Sequence, residues 1–190
     1  MLIHEFDSKF KHLFTGGFPR WEAFRFIAEK LISLNRPLSI IETGSLRTEN
    51  DWNGNGQSTL IWDWLIEKLG GECHSIDINP EVSEFAKKHT KFAKIINKDS
   101  ILALRNSTLA SVCDLLYLDS YDWSEQSKIE SPLHHIGELA ATWGRLPSGC
   151  IVAVDDCHSE NFGKHVMVKA FFEYVGKAPT HSGYITVWEK

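Results

Sequence analysis

The sequence predicts a doubly wound α/β protein, with a mostly parallel sheet, helices on both of its faces and an antiparallel β segment at the C-terminus. Along the 190 residues, short apolar runs alternate with amphipathic stretches, which is the order of strands and helices in this class. The apolar runs are nearly uninterrupted, as is typical of parallel strands that are covered on both faces. Residues 1–190 contain no internal repeat, low-complexity tract or linker, so we expect a single domain.

The chain opens with a segment that we expect to be an arm or loop, residues 1–19, because a cluster of breakers at 15–19 closes it. A covering helix is predicted over residues 20–35, where apolar side chains recur every three or four positions. Asn35-Arg36-Pro37 ends this helix, since a proline cannot continue it.

Five apolar runs of strand length follow the covering helix, and polar residues close each of them. Runs this short, bounded by turn-forming residues, indicate buried strands. The predicted strands span residues 38–41, 72–78, 92–96, 113–118 and 150–154.

Amphipathic stretches after these strands predict the remaining helices. The clearest start is at Pro80, which fits the first turn of a helix because the missing N–H costs nothing there. Residues 184–188 are rich in β formers, and we expect them to pair with residues 178–181 across Ser182-Gly183. The predicted helices span residues 57–69, 80–89, 101–104, 133–145 and 164–174.

Charge and composition exclude several kinds of partner. The net charge is −5 and no basic stretch is longer than the Lys87-Lys88 pair, so we expect no nucleic-acid partner. The longest apolar run, residues 150–154, has five residues, whereas a membrane-spanning helix needs about 20. The N-terminus lacks the apolar segment of a secretory signal. We therefore expect a cytoplasmic protein that binds small molecules and no membrane.

Carboxylates follow every predicted strand, at the edge of the sheet where open α/β proteins bind their ligands. A single aspartate at such a position is often only the N-cap of the next helix, and this alternative stays open for each of them. The set as a whole favours a binding site. Its members are Glu42, Asp77, Asp99, Asp119, and Asp155 with Asp156.

Asp77 ends the second strand, where a carboxylate can accept both hydroxyls of a ribose. It lies 21 residues after Gly56, within a degenerate glycine motif, Gly54-Asn55-Gly56-Gln57-Ser58-Thr59. This spacing favours an NAD-linked oxidoreductase. Against that function, the glycines of a dinucleotide site should follow the strand at once, and here a polar loop separates them from Gly44.

Asp119 and the pair Asp155-Asp156 end strands that are neighbours in a doubly wound sheet, so their carboxylates should converge. Like charges this close raise each other's pKa unless a cation is present. An oxygen-rich site for Mg²⁺ is one way to keep them ionised. The alternative is that one aspartate caps a helix and another pairs with a nearby lysine such as Lys164.

Four runs at these strand ends resemble the successive motifs of class I S-adenosylmethionine-dependent methyltransferases. The resemblance is narrower to the metal-dependent O-methyltransferases of the catechol and macrolide-sugar types, and it covers about residues 38–188, which would form a Rossmann-like cofactor-binding core. The runs are I-E-T-G-S at 41–45, S-I-D-I-N-P-E at 75–81, D-L-L-Y-L-D at 114–119 and G-C-I-V-A-V-D-D at 149–156.

The resemblance implies a role for each strand end. Glu42 and Gly44 would line the amino-acid portion of S-adenosylmethionine, Asp77 with Ile78 would hold the ribose, and Asp99 with Ser100 would lie beside the adenine. The further cofactor contacts that it implies are Ser45, Gly56, Gln57, Ser58 and Asp119.

The resemblance also implies Mg²⁺, with Asp119, Asp155 and Asp156 as its ligands. Bound there, the metal would lower the pKa of the acceptor hydroxyl and align it for in-line transfer of the methyl group. In relatives a lysine or histidine three residues after the first ligand is the general base, and here that position is Asp122. We therefore expect Asp122 and His135 as catalytic residues, with His134 and His158 as alternatives.

Together these features predict an S-adenosylmethionine-dependent, Mg²⁺-dependent O-methyltransferase that acts on a small hydroxylated acceptor. The alternatives are an NAD-linked oxidoreductase and a non-catalytic, Rossmann-like binding module. A chain of this length leaves little room for an acceptor-binding lid, and a homodimer is one way to supply the missing walls.

Overall fold

The structure is a computed structural model that describes residues 2–16, 19–52 and 54–190. Met1, Gly17, Phe18 and Asn53 lie outside the described residues. Gly17 and Phe18 belong to the predicted breaker cluster, so that part of the prediction is not addressed.

The described residues form one six-stranded sheet with the strand order β3-β2-β1-β4-β5-β6. Each neighbouring pair is parallel except β5 and β6, which are antiparallel. This arrangement confirms the predicted fold class. The strands are β1 (Leu38–Thr43), β2 (Gly71–Asp77), β3 (Ala93–Asn97), β4 (Leu115–Leu118), β5 (Ile151–Val154) and β6 (Thr186–Glu189).

Helices cover both faces of this sheet. In β4, Leu115 and Tyr117 face the apolar core that holds the first three helices, whereas Leu116 and Leu118 face the core on the other side. This alternation is the period of two that a strand imposes. The helices are α1 (Leu2–Phe10), α2 (Trp21–Ser33), α3 (Ser58–Leu69), α4 (Pro80–His89), α5 (Ser100–Arg105), α6 (Glu130–Thr142) and α7 (Val166–Tyr174).

The N-terminal segment is helical, whereas the sequence predicts an arm or loop there. Residues 2–10 form α1, and a 3₁₀ turn follows at Lys11–Leu13. Phe6 and Phe10 are buried one helical turn apart, and their rings lie 5.8 and 5.6 Å from the ring of Trp64 on α3. The prediction was wrong because it rested on the breaker cluster at 15–19. Breakers end a helix where they stand, but they do not exclude a helix upstream of them.

The C-terminal β segment also differs from its predicted pairing. β6 forms its ladder with β5, and residues 178–181 contribute a single bridge, from His181 to Val187. β6 pairs with β5 because Val187 and Trp188 are fully buried there, beside an apolar strand. Within the described ranges, no helix is long and apolar enough to cross a membrane.

Candidate functional site

A cavity of about 510 Å³ opens at the carboxyl ends of the parallel strands, where the sequence predicts the site. It brings together residues that follow β1, β2, β3 and β4, with 90 positions between Gly44 and His134. Predicted site residues in its lining are Gly44, Asp77, Ile78, Asp99, Ser100 and Asp122. Lining residues that the sequence did not indicate include Arg47 and Ser120.

Gly44 forms the narrow floor of this cavity. Its φ is +81°, and a Cβ atom there would lie 2.4 Å from the backbone oxygen of Asp119. Only glycine tolerates both the positive φ and the close approach of the β4 backbone. The Gly44 N–H donates to the carbonyl of Ile76 at 2.8 Å, which holds the turn after β1 against β2.

Asp77 stands at the end of β2 with its carboxylate fixed by the backbone. Its Oδ2 accepts from the Ser45 N–H at 3.1 Å, and its Oδ1 accepts from the Asn79 N–H at 2.8 Å. Each carboxylate oxygen has a further lone pair. Asp77 is therefore oriented and still able to accept hydrogen bonds from a diol in the cavity.

The turn after β3 carries Asp99 and Ser100. Asp99 caps α5 by accepting from the Leu102 N–H at 2.9 Å, so the capping alternative holds for this aspartate, which nevertheless lines the cavity. The Ser100 hydroxyl lies 2.9 Å from Nε2 of His134, which comes from α6.

His134 joins the cavity to a buried hydrogen-bond network that the sequence did not indicate. Its Nε2 lies 3.3 Å from a carboxylate oxygen of Glu138, one turn later on α6. Glu138 is fully buried and also accepts hydrogen bonds from Ser120 and Thr43. The hydrogen bond to Glu138 raises the pKa of His134. Burial opposes the charge of Glu138, but the two neighbouring histidines and the hydrogen bonds outweigh it and lower the pKa of Glu138.

An ion pair between Arg47 and Asp122 joins the loop after β1 to the loop after β4. The two N–O distances are 2.8 and 3.0 Å, so the guanidinium grips the carboxylate with two parallel hydrogen bonds. The hydrogen bond to Asp122 raises the pKa of Arg47. Both residues line the cavity, so this pair presents one positive and one negative group to it.

Glu42 does not line the cavity, although the resemblance implies a cofactor contact. It is fully buried, and its carboxylate accepts hydrogen bonds from Ser58, Thr59, Trp62 and Ser75 at 2.6 to 3.0 Å. Burial raises the pKa of Glu42 to about 7, against the opposing effect of these bonds. Glu42 therefore ties α3 and β2 together from below the site.

The predicted contacts in the loop before α3 are likewise turned away from the cavity. The Ser45 hydroxyl bonds to Ser75, the Gln57 amide donates to the carbonyl of Thr48, and Ser58 donates to Glu42. Gly56 packs against the backbone of Ser45, where a Cβ atom would lie 2.3 Å from the Ser45 oxygen. This loop folds back on itself, so these three side chains donate within the protein, although the Gln57 Oε1 is buried without a hydrogen-bond partner.

The predicted convergence of Asp119, Asp155 and Asp156 is observed, because β4 and β5 are parallel neighbours. Two basic side chains enter the same spot. The Lys164 ammonium lies 2.5 Å from Asp119 and 3.0 Å from Asp156. The Arg20 guanidinium lies 3.0 Å from Asp155 and 2.7 Å from Asp156.

The ion pairs with Lys164 and Arg20 bear on whether the three aspartates can hold a metal ion. Among residues 2–16, 19–52 and 54–190, no group of three or more His, Cys, Asp or Glu side chains is placed to hold one. Burial raises the pKa of Asp119 to about 8, with Lys164 opposing the shift. Burial also works against the charge of Asp156, but Lys164 and Arg20 lower its pKa to about 2. The site is compensated by cations of the chain, and it does not fit a divalent ion as it stands.

The two histidines outside the cavity are poorly placed for the predicted roles. His135 is fully buried, its Nδ1 lies 2.7 Å from the carbonyl of Ser131, and burial lowers its pKa to about 4. His158 packs against Trp123 and Tyr184 and lines a separate cavity of about 840 Å³. Of the candidate bases, only Asp122 and His134 line the first cavity.

Comparison with solved structures identifies the fold. MycE, a methyltransferase from the mycinamycin biosynthetic pathway in complex with Mg, SAH and mycinamycin VI, superposes with a TM-score of 0.62 at 16% identity. The match covers 99% of this chain and 54% of MycE. The chain has a methyltransferase fold. It spans about half the length of MycE.

Two further neighbours have the same fold. The O-methyltransferase NovP has a TM-score of 0.64 at 13% identity, over 90% of this chain and 79% of NovP. The calicheamicin methyltransferase CalS11 has a TM-score of 0.57 at 8% identity, over 88% of this chain and 77% of CalS11. No protein-family model and no curated protein sequence matches the chain. The resemblance stated from the motifs is thus confirmed at the level of the fold.

Proposed function

We propose that the protein is an S-adenosylmethionine-dependent methyltransferase that transfers the methyl group to a hydroxyl of a small acceptor. The observation that carries the proposal is the cavity that joins Gly44, Asp77 and Asp99 at the ends of three neighbouring strands. The methyltransferase fold and the SAH bound in MycE support the choice of cofactor.

The adenosine half of the cofactor would lie between Asp77 and Ser100. Asp77 would accept hydrogen bonds from the two ribose hydroxyls, using the lone pairs that its backbone bonds leave free. Ile78 follows directly and is 70% exposed, so it offers an apolar surface for the adenine. Asp99 and Ser100 line the cavity beyond it and would meet the polar edge of the base.

The amino-acid half of the cofactor is a zwitterion, with one carboxylate and one ammonium group. Arg47 and Asp122 line the same cavity with one positive and one negative group. We infer that they exchange their mutual hydrogen bonds for bonds to the ligand, the guanidinium to the carboxylate and Asp122 to the ammonium. In that case Asp122 binds the cofactor, and its predicted role as general base is not needed.

Methyl transfer requires the acceptor oxygen, the methyl carbon and the sulfonium to lie in line, and positioning supplies much of the rate. The proton of the acceptor must also leave. His134, the other predicted base that lines the cavity, lies beside Ser100 at the proposed adenine end, so the proposal does not assign it this role. The Mg²⁺ dependence that the resemblance implies is not part of the proposal, because Lys164 and Arg20 hold the three aspartates.

A dinucleotide is the less favoured ligand. Its pyrophosphate needs the N-terminus of the helix after β1. That end of α3 carries Gln57 and Ser58, which line a small separate void with Arg20 and Asp155 instead of the cavity. A non-catalytic binding module remains the second candidate, and it would bind the cofactor without turnover.

Calorimetric titration with S-adenosylhomocysteine and, separately, with NADH tests the proposal. We expect micromolar binding of the former, about 8 kcal/mol, and none of the latter. Asp77→Asn should weaken S-adenosylhomocysteine binding by about tenfold or more, since hydrogen bonds to a charged group contribute about 1.5–3 kcal/mol. Glu81→Gln is the matched control, because Glu81 is exposed on α4 and lies outside the cavity lining.

Binding of NADH alone would overturn the proposal. If S-adenosylhomocysteine binds, transfer of a labelled methyl group from S-adenosylmethionine to a panel of sugars, phenols and polyols separates an enzyme from a binding module.

A further inference from the structure

The acid cluster, defined as Asp119, Asp155 and Asp156, is mostly buried, with 14% of the Asp119 side chain and 21% of the Asp156 side chain exposed. Asp155 is 3% exposed and Lys164 is fully buried. Asp155 also accepts a hydrogen bond from the Tyr117 hydroxyl at 2.6 Å. The void beside Asp119 and Asp155 has a volume of about 10 Å³, about the least that can hold one water molecule.

Lys164 reaches the cluster because of the residue before it. Gly163 has a φ of +128°, and a Cβ atom there would lie 2.3 Å from the backbone oxygen of Asp156. The Lys164 N–H donates to that same oxygen at 3.2 Å. The chain thus folds back tightly after β5, and this turn directs the Lys164 side chain between Asp119 and Asp156.

Arg20 closes the cluster from the opposite end of the chain. Its Nε donates to both oxygens of Asp155, at 3.0 and 3.1 Å, and its Nη2 donates to Asp156 at 2.7 Å. The guanidinium also lies 4.5 Å from the ring centre of Tyr184. Arg20 therefore has a fixed, buried position that joins the start of α2 to the end of β5.

We propose that the Lys164 ammonium permanently occupies the place that a divalent ion has in metal-dependent relatives, so that the protein binds no divalent ion at the acid cluster. An Mg²⁺ ion binds carboxylate oxygens at about 2.0–2.1 Å. The ammonium already lies 2.5 and 3.0 Å from one oxygen each of Asp119 and Asp156. A metal ion on the same oxygens would lie within a few ångströms of the ammonium, and the two positive charges would repel each other. Lys164 is tethered to the fold, whereas the metal must compete from solution.

The charges lead to the same conclusion. Three carboxylates face two permanent cations, so at most one negative charge is uncompensated. A metal ion would find little net attraction and would have to displace a buried ammonium into a low-dielectric interior, which is costly. None of these contacts involves the cofactor, so the inference holds whether or not the protein binds S-adenosylmethionine.

Titration with Mn²⁺, followed by electron paramagnetic resonance of the free ion, tests the proposal. The wild-type protein should show no site-bound Mn²⁺ up to about 1 mM, a weak-binding limit for oxygen sites. Lys164→Met removes the ammonium and keeps an unbranched side chain one atom shorter, and this variant should bind Mn²⁺ at least about tenfold more tightly than wild type. Adding Asp119→Ala, which removes an oxygen ligand altogether, should abolish the new binding.

Two controls make the result specific. Lys164→Arg retains the cation and should bind no Mn²⁺, and Lys169→Met removes a lysine that pairs with exposed Glu160 outside the cluster. Sub-millimolar Mn²⁺ binding by the wild type that Asp119→Ala abolishes would overturn the proposal, even if Lys164→Met does not fold. A folded Lys164→Met protein with no gain in Mn²⁺ affinity would also overturn it. A failure to bind S-adenosylhomocysteine concerns only the proposed function.

Discussion

Replacing Arg47 should weaken binding of the amino-acid half of the cofactor and leave binding of the adenosine half unchanged. In the proposed complex Arg47 binds the carboxylate of the amino-acid portion, which S-adenosylhomocysteine has and 5′-methylthioadenosine lacks. Arg47→Met should therefore weaken binding of the first ligand and leave binding of the second unchanged within about twofold.

The magnitude follows from the environment of Arg47. A hydrogen bond between charged groups contributes about 1.5–3 kcal/mol. The Arg47 side chain is 30% exposed and must first release Asp122, so the lower end of that range applies. About 1.4 kcal/mol corresponds to a tenfold change, and we expect about a tenfold loss of S-adenosylhomocysteine affinity.

Calorimetry with both ligands on the same protein preparation measures this difference. Arg47→Met leaves the Asp122 carboxylate unpaired, and the double variant Arg47→Met, Asp122→Asn removes that complication. Arg25→Met is the control, because Arg25 pairs with Asp7 and Glu29 away from the cavity. Equal losses for the two ligands, or no loss for either, would refute the reasoning.

Three other predictions concern stability and titration. Phe6→Ala should lower the free energy of unfolding by about 3–5 kcal/mol, since Phe6 is fully buried; a denaturant midpoint unchanged from wild type would show that α1 is not docked. Gly163→Ala should lower Tm because of the positive φ and the close contact there, whereas Gly144→Ala, with nothing within 4 Å, should not; equal Tm values would contradict this. By NMR, His134 should titrate above its ordinary pKa, and Glu138→Gln should cancel that shift. Because folding raises the pKa of His134, this group stabilises the folded protein fully below about pH 6.5, its pKa in the unfolded chain. Because folding lowers the pKa of Glu138, that group stabilises the folded protein fully above about pH 4.3, its pKa in the unfolded chain. The pair should therefore contribute most between these limits, with loss as pH rises through the pKa of His134 or falls through that of Glu138.

Much of the fold could be predicted because hydrophobic periodicity is a local signal. The runs that became β1, β4 and β5 are apolar in the sequence and almost entirely buried in the structure, whereas β2 is partly exposed and β3, at the edge of the sheet, has no fully buried residue. The missed element, α1, has the same kind of pattern, but its role depends on Trp64, with which Phe6 and Phe10 make ring contacts. Nothing near residue 6 in the sequence indicates that partner.

The cofactor side of the candidate site was predictable for a related reason. Gly44, Asp77 and Asp99 directly follow strands, and parallel strands bring their carboxyl ends to one edge. Glu42 also follows this pattern but faces the interior. Its four hydrogen-bond donors come from α3 and β2, and the direction of a side chain at a strand end depends on such neighbours.

The sequence by itself determined the sheet, its ligand-binding edge and the convergence of three aspartates on that edge. It left two ways of compensating their charge, a metal ion or a lysine such as Lys164. Only the tertiary structure showed that Lys164 and Arg20 reach these aspartates, because Arg20 is 135 positions from Asp155 and Lys164 is 45 positions from Asp119. Charges compensate each other through space over a few ångströms. The spacing of residues along the chain therefore does not indicate which cation lies beside the three aspartates.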